Sequence, residues 1–235
     1  MFWNKGFYKH QTFGLREEWL ALWFEKPESW PEEGGLGPRQ VEPLRVWLKT
    51  AGLVDRHGQK TFLARRFEQK GLTDLAAWEI LWTNVVFNFA TAHWYVLRMG
   101  LGRWTTSELH QRLRADFPHC APRTLRNGLT ELVGLLERTP VGKNLHQGEV
   151  TRQGRVRVVH RRPYPFVSLE AAIWSTQRLF KEHQRTHFSL NEEVLFPWTI
   201  FGAHVKEFYL ELLGQGEPPF IVEKDHTTGH FWPPS

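Results

Sequence analysis

The residues of this chain best suited to chemistry are its arginines. From residue 143 to 162 the sequence carries Lys143, Arg152, Arg155, Arg157, Arg161 and Arg162 against one acid, Glu149. The planar guanidinium fork matches a phosphate, or the edge of guanine, through two parallel hydrogen bonds, so this run points to nucleic acid. Just upstream, Arg123, Thr124, Arg126, Asn127 and Thr130 lie on one face of a helical pattern, opposite Leu125, Leu129, Leu132, Val133 and Leu136. In a helix-turn-helix the second helix sets its N-terminal residues against base edges while flanking basic groups hold phosphates. Arg123, Arg126 and Asn127 are therefore the base-reading candidates. A solvated basic face, or a site for an acidic protein partner, would use the same residue types.

Such side chains need a scaffold, and the charge distribution shows where it lies. Residues 103–162 hold twelve Lys/Arg against five Asp/Glu and residues 36–70 hold eight against three, while the whole chain nets +5. Each basic segment runs through a start signal, an apolar-striped helix, a stop and a short basic stretch, which predicts two winged-helix modules. In the second, Thr105 or Thr106 caps a helix with Leu109, Leu113 and Phe117 inward. Pro118–Pro122 turns into a helix over Arg123–Glu137, and Arg155–Val159 alternates like a strand after a turn region from Gly148 to Gly154. Gly128 and Gly134 cost helix propensity, about 1 kcal/mol each, so they predict close approach of another segment.

In the first module a helix over Leu15–Phe24 and a Pro/Gly/Glu-rich loop over Lys26–Pro38 precede a helix over Arg39–Ala51, with Val41, Leu44, Trp47 and Leu48 inward. Gly52 stops that helix, and Leu53–Val54, a turn over Asp55–Lys60 and Thr61–Leu63 read as a wing. Arg39, Gln40, Arg45, Lys49, Arg56 and Lys60 are its exposed polar candidates, for DNA or for protein contact. Thr73–Asp74 starts a buried helix running to Met99, the spine between modules. Ser168–Arg185 and Asn191–Leu213 read as helices offering packing or partner surface, and Phe220 onward as a terminal hairpin. The predicted organisation is thus an N-terminal winged-helix module (1–72), a connecting helix (73–102), a strongly basic winged-helix module (103–167) and C-terminal helices with a tail (168–235), mainly α with small β-hairpin wings.

Several classes are excluded. No apolar stretch approaches the roughly 20 residues of a membrane span. The N-terminus lacks a secretory layout, and the single Cys120 makes no internal disulfide, so the expected location is cytoplasmic. There is no Gly-x-Ser-x-Gly or P-loop pattern, and the adjacent pairs Glu17-Glu18 and Glu192-Glu193 point to different sides of a helix. His226 and His230 with Asp225 have metal-compatible spacing but lack a further ligand cluster. No catalytic residue, metal or cofactor is expected. Most of the twelve Trp, including Trp19, Trp23, Trp47, Trp78, Trp82 and Trp94, should fill the core, which leaves Trp3, Trp30 and Trp232 as stacking candidates.

The stretches His10-Gln-Thr-Phe-Gly-Leu-Arg-Glu-Glu-Trp-Leu20, Leu36-Gly-Pro-Arg-Gln-Val41, Leu44-Arg-Val-Trp-Leu-Lys-Thr-Ala-Gly-Leu53 and Trp78-Glu-Ile-Leu-Trp82 resemble an uncharacterised bacterial family, the domain of unknown function numbered four thousand and seven. The likeness spans residues 10–215. Where the family pattern reads Gly-Lys-Asn-Met-Val, this chain has Gly37-Pro38-Arg39-Gln40-Val41. The resemblance implies a setting among phosphorothioate DNA-modification genes in phage-defence islands, and it carries over no catalytic residue. Together with the basic faces, it leads to the expectation of a non-catalytic protein that binds double-stranded DNA and targets a modification or defence complex through other subunits. The alternative is a scaffold whose basic faces dock an acidic partner, and a nuclease or other enzyme is the third reading.

Overall fold

A computed structural model describes residues 6, 7, 10–33, 35–185, 188, 192–203, 221, 222, 227 and 228. Asp225, His226, His230, Trp3 and Trp232 lie outside the described residues, as do 191 and 204–213 of the helix expected over Asn191–Leu213; in the described part, 192–203, only Pro197–Phe201 is helical, so that helix does not begin at Asn191. The chain is mainly helical with a small antiparallel sheet of three strands.

The first region contains α1 (Glu17–Glu25), α2 (Trp30–Glu33), α3 (Pro38–Thr50) and α4 (Phe62–Lys70). Pro38 opens α3 and Gly52, at φ +71°, turns the chain after it. A side chain on Gly52 would meet the Asn84 amide at 2.5 Å. The wing expected next does not form. Val54 and Lys60 make one isolated bridge, and Thr61–Leu63, read as a strand, begins α4. Thr61 caps that helix by accepting from Ala64 N, while Leu63, Ala64 and Phe67 recur at helical spacing and are buried. A three-residue apolar run is ambiguous between the two periods, and the cap and the i, i+4 pair decide it.

The spine is two helices rather than one: α5 (Leu75–Asn88) and α6 (Ala90–Trp94), followed by a π-helical turn (Tyr95–Met99). Phe89 between them is extended, and its ring meets His10 and Trp47 edge-on at 5.1 and 5.7 Å. Asp74 precedes α5 but does not cap it. Its carboxylate instead receives Arg66, whose other side reaches Glu170. The expected core tryptophans Trp19, Trp23, Trp47, Trp78, Trp82 and Trp94 are all buried, and so is Trp30, a stacking candidate.

The second region runs β1 (Gly102–Thr105), α7 (Thr106–Asp116), α8 (Pro122–Arg138), α9 (Pro140–Lys143), β2 (Glu149–Gln153) and β3 (Val156–Arg161). The antiparallel sheet has the order β1-β3-β2. Gln153 pairs with Val156, so the turn is Gly154-Arg155, with Gly154 at φ +60° as a two-residue hairpin of this kind requires. Arg155 thus sits in the turn and not in the strand, and most of the expected turn region is β2. At four residues, β1 is too short to show a period in the sequence.

α10 (Leu169–His183), capped by Ser168, and α11 (Pro197–Phe201) complete the core, with a short β4 (Ile221–Val222) paired to β5 (Thr227–Thr228). One apolar cluster runs from Phe7 to Phe201, so the four spans share a core. The N-terminal strap seals it against the rear of α8. A Cβ on Gly128 would lie 1.9 Å from the Phe7 carbonyl oxygen, and Gly134 faces Gly14 at 3.1 Å, which is the close approach the two helix glycines predict. Between them Glu131, fully buried, accepts from the His10 and Thr12 amides at 2.9 and 3.1 Å and meets His10 Nδ1 at 3.0 Å. His10 Nε2 reaches Thr50 Oγ1, and the ring stacks on Trp47 at 3.6 Å. With its rear locked this way, α8 presents its other face to solvent.

Candidate nucleic-acid interface

α7 enters through a capping box: Thr105 Oγ1 accepts from Glu108 N at 3.1 Å, and Glu108 Oε2 accepts from Thr105 N at 2.7 Å. The Thr105 amide, and its hydroxyl 2.9 Å from Glu108 Oε2, hold the Glu108 carboxyl below its ordinary pKa. Leu109 and Leu113 go inward as expected, with Phe117 half-buried. α8 buries Leu125, Leu129, Leu132, Val133 and Leu136. Its opposite face holds Arg123, Arg126 and Thr130 exposed, with Thr124 and Asn127 half-buried. The Thr130 hydroxyl donates back to the Arg126 carbonyl at 2.9 Å.

The acids of this region are engaged in structure. Glu108 caps α7, Asp116 accepts from the Trp94 indole at 2.7 Å, and Glu131 holds the strap. Glu137 sits between Arg152 and Arg157, 3.4 Å from each, and Glu149 takes Arg162 at 3.1 Å. Arg123, Arg126, Lys143 and Arg155 are exposed and have no carboxylate partner among the described residues. Arg103, exposed on β1 and also without one, is a cation that sequence reasoning missed.

Arg161 does not belong to this surface. It is 2% exposed and hydrogen-bonds to Gln147 Oε1 and to the carbonyls of Val96, Gly100, Thr199 and Ile200 at 2.8–3.2 Å. Burial pushes its pKa down to about 10. Position along β3 explains the difference: Arg157 and Arg161 share a strand face, but Arg161 lies at the end packed against the carbonyls of Val96, Gly100, Thr199 and Ile200, while Arg157 near the hairpin turn stays part-exposed.

The face of α8 and the hairpin converge. Arg126, Leu129, Thr130 and Val133 of α8, Arg157 of β3, and Thr106, Ser107 and His110 of α7 line one groove of about 320 Å³. Thr106, Ser107 and His110 were missed in the sequence. The only signal for them is the Thr-Thr-Ser-Glu start, which places Ser107 and His110 three residues apart on one helical face. A second hollow, about 480 Å³, opens on Ser107 and His110 from the other side and includes Gln111, Arg114 and Cys120.

The first region places its candidates differently. Gln40 accepts from Gly37 N at 3.2 Å and so closes the start of α3, which removes its side chain from the reading set. Arg45 lies over the Trp30 ring at 5.9 Å, and Lys60 is ion-paired to Glu68 and lies over Trp23. Arg56, exposed, donates to His57 Nε2. Arg39 and Lys49 are exposed, and Lys49 shares a hollow with Arg45 and Glu42.

Among the described residues no helix is long and apolar enough to cross a membrane, and no three His, Cys, Asp or Glu side chains gather as a metal site would require. No protein-family model, no curated protein and no solved structure matches the chain.

Proposed function

We propose that residues 102–162 form a winged-helix DNA-binding unit, with α7 and α8 as the helix-turn-helix and the β2–β3 hairpin as the wing. The strand, two helices and hairpin, with β3 between β1 and β2, have the order such a unit needs. The observation that carries the reading is the convergence of Arg126 on α8 and Arg157 on the hairpin in one groove, beside cations that no carboxylate neutralises.

Within that class, the particular role is a non-catalytic, cytoplasmic DNA-targeting subunit. Arg123, Arg126 and Asn127 meet base edges, while Lys143, Arg152, Arg155, Arg157 and Arg162 hold phosphates. The likeness of its N-terminal stretches to a family found beside DNA-modification genes supports reading that role as part of DNA modification or phage defence, with other subunits as partners. The test is a salt titration of binding to a labelled duplex. With about five phosphates neutralised, the logarithm of affinity falls against the logarithm of salt with a slope of roughly −4.5. Absence of duplex binding at low salt would overturn this reading in favour of a scaffold that docks an acidic partner.

A further inference from the structure

The groove between α7, α8 and β3 is lined by donors and cations. Its polar lining consists of the Thr106, Ser107 and Thr130 hydroxyls, His110, Arg126 and Arg157, and it contains no carboxylate. Thr130 is already turned back on its own helix, which leaves Thr106 and Ser107 as hydroxyl donors. His110 Nε2 is shielded from water and has no hydrogen-bond partner. A buried polar nitrogen left without a partner costs about 1–3 kcal/mol, so a turn of the His110 ring that opens Nε2 to a ligand oxygen in the groove recovers that loss. Glu137 touches Arg157 but is shared with Arg152, so two guanidiniums divide one carboxylate and the groove side stays cationic. Leu129 and Val133 give it an apolar floor suited to the sugar that flanks a phosphate.

We propose that this groove is a phosphate site, in which His110 Nε2, the Ser107 hydroxyl and the Arg157 guanidinium donate to the oxygens of one phosphate ester, while Arg126 at the α8 side of the groove stays free to reach the adjoining base. The assignment rests on the DNA-binding reading in taking that ester from the backbone of a bound duplex. The neighbouring hollow, with Gln111 and Arg114, shares Ser107 and His110 and extends the path along α7, so the strand passes across this helix while α8 faces the bases. His110 is thereby a phosphate-binding residue that the arginine pattern does not reveal.

The test follows the His110 ring in the full chain by nuclear magnetic resonance, its signal assigned by its loss in His110→Gln, with inorganic phosphate and then a short duplex as probes. Ser107→Asp, at an exposed position, sets a carboxylate in the groove, and Ser107→Ala controls for the substitution itself. Both probes should shift the His110 signal. Ser107→Asp should abolish the phosphate shift, lower the salt slope by about 1 and weaken duplex binding roughly eight-fold at 0.1 M salt, equally on all sequences. Duplex binding with an unchanged slope in Ser107→Asp, and no phosphate shift in the wild type, would overturn the groove assignment while the DNA reading stands. A phosphate shift without any duplex binding would keep the site, make a free phosphate ester its ligand and overturn the DNA reading. Silence of both probes overturns both.

Discussion

The two basic regions of this chain have similar composition and put it to different use. In residues 102–162 the acids are taken up by caps, the strap and the hairpin, and the cations left over stand in solvent, Arg126 among them in the groove that Arg157 also lines. In residues 36–70 several of the cations are themselves taken up, Lys60 by Glu68, Arg45 against Trp30, Arg66 by Asp74 and Glu170, while Arg39 and Lys49 stay exposed. The hairpins diverge in the same way. Val54 and Lys60 leave room for a single bridge, whereas the segment from Glu149 to Arg161 pairs along five positions and projects Arg155 at its turn. A count of positive residues therefore does not locate a binding surface. What locates one is which charges the fold has not already consumed.

The largest effects should come from cations that the fold uses, and they should be effects on stability alone. Arg161→Met leaves the carbonyls of Val96, Gly100, Thr199 and Ile200 without their donor and should cost at least about 3 kcal/mol in denaturant unfolding. The salt slope of the folded fraction should not change. A lower slope with intact stability would put Arg161 back on the DNA surface and break the comparison.

Arg66→Met should follow at about 3 kcal/mol, because it leaves a largely buried Asp74 without its partner. It should also alter the pH dependence. Burial pushes the Asp74 carboxyl up, but the Arg66 hydrogen bond and charge, helped by Lys70 and the Ala77 amide, outweigh this and leave its pKa below the ordinary value. A depressed carboxyl stabilises the fold above its unfolded pKa and loses that contribution as pH falls through the folded one. Arg66→Met should therefore remove the Asp74 share of acid destabilisation, which shows as a flatter stability curve below about pH 4.

How far the sequence could be read follows the same division. Helices α3, α7, α8 and α10 were legible because their caps and apolar stripes are local, and Gly128 and Gly134 announced the strap without saying which segment it was. Arg161 was illegible as a core residue because it shares its strand face with Arg157, and only the packing of its end of β3 against the carbonyls of Val96, Gly100, Thr199 and Ile200 sets the two apart. The α4 helix was hidden in a three-residue apolar run. His110 and Ser107 carry no pattern of their own, and only the packing of α7 against α8 and β3 makes them part of a groove.

Among the surface residues, Arg126→Ala and Asn127→Ala should each cost roughly 1–3 kcal/mol on preferred duplexes and little on others, measured by competition between sequences. Equal weakening on every duplex would make the α8 face a phosphate-holding surface and remove it from base reading.

The smallest effect sharpens the comparison most. Arg155→Ala, at the hairpin turn, should leave sequence preference intact and lower the salt slope by about 1, whereas Arg45→Ala and Lys49→Ala should leave the slope where it is. All three remove one positive charge from an exposed position, so net charge changes equally and cannot account for a difference. If Arg155 alone moves the slope, the duplex lies against the three-stranded sheet and the first region is free for a protein partner. If Arg45 or Lys49 moves it as much, the duplex reaches both regions, and the cation lying over Trp30 binds phosphate despite its ring contact.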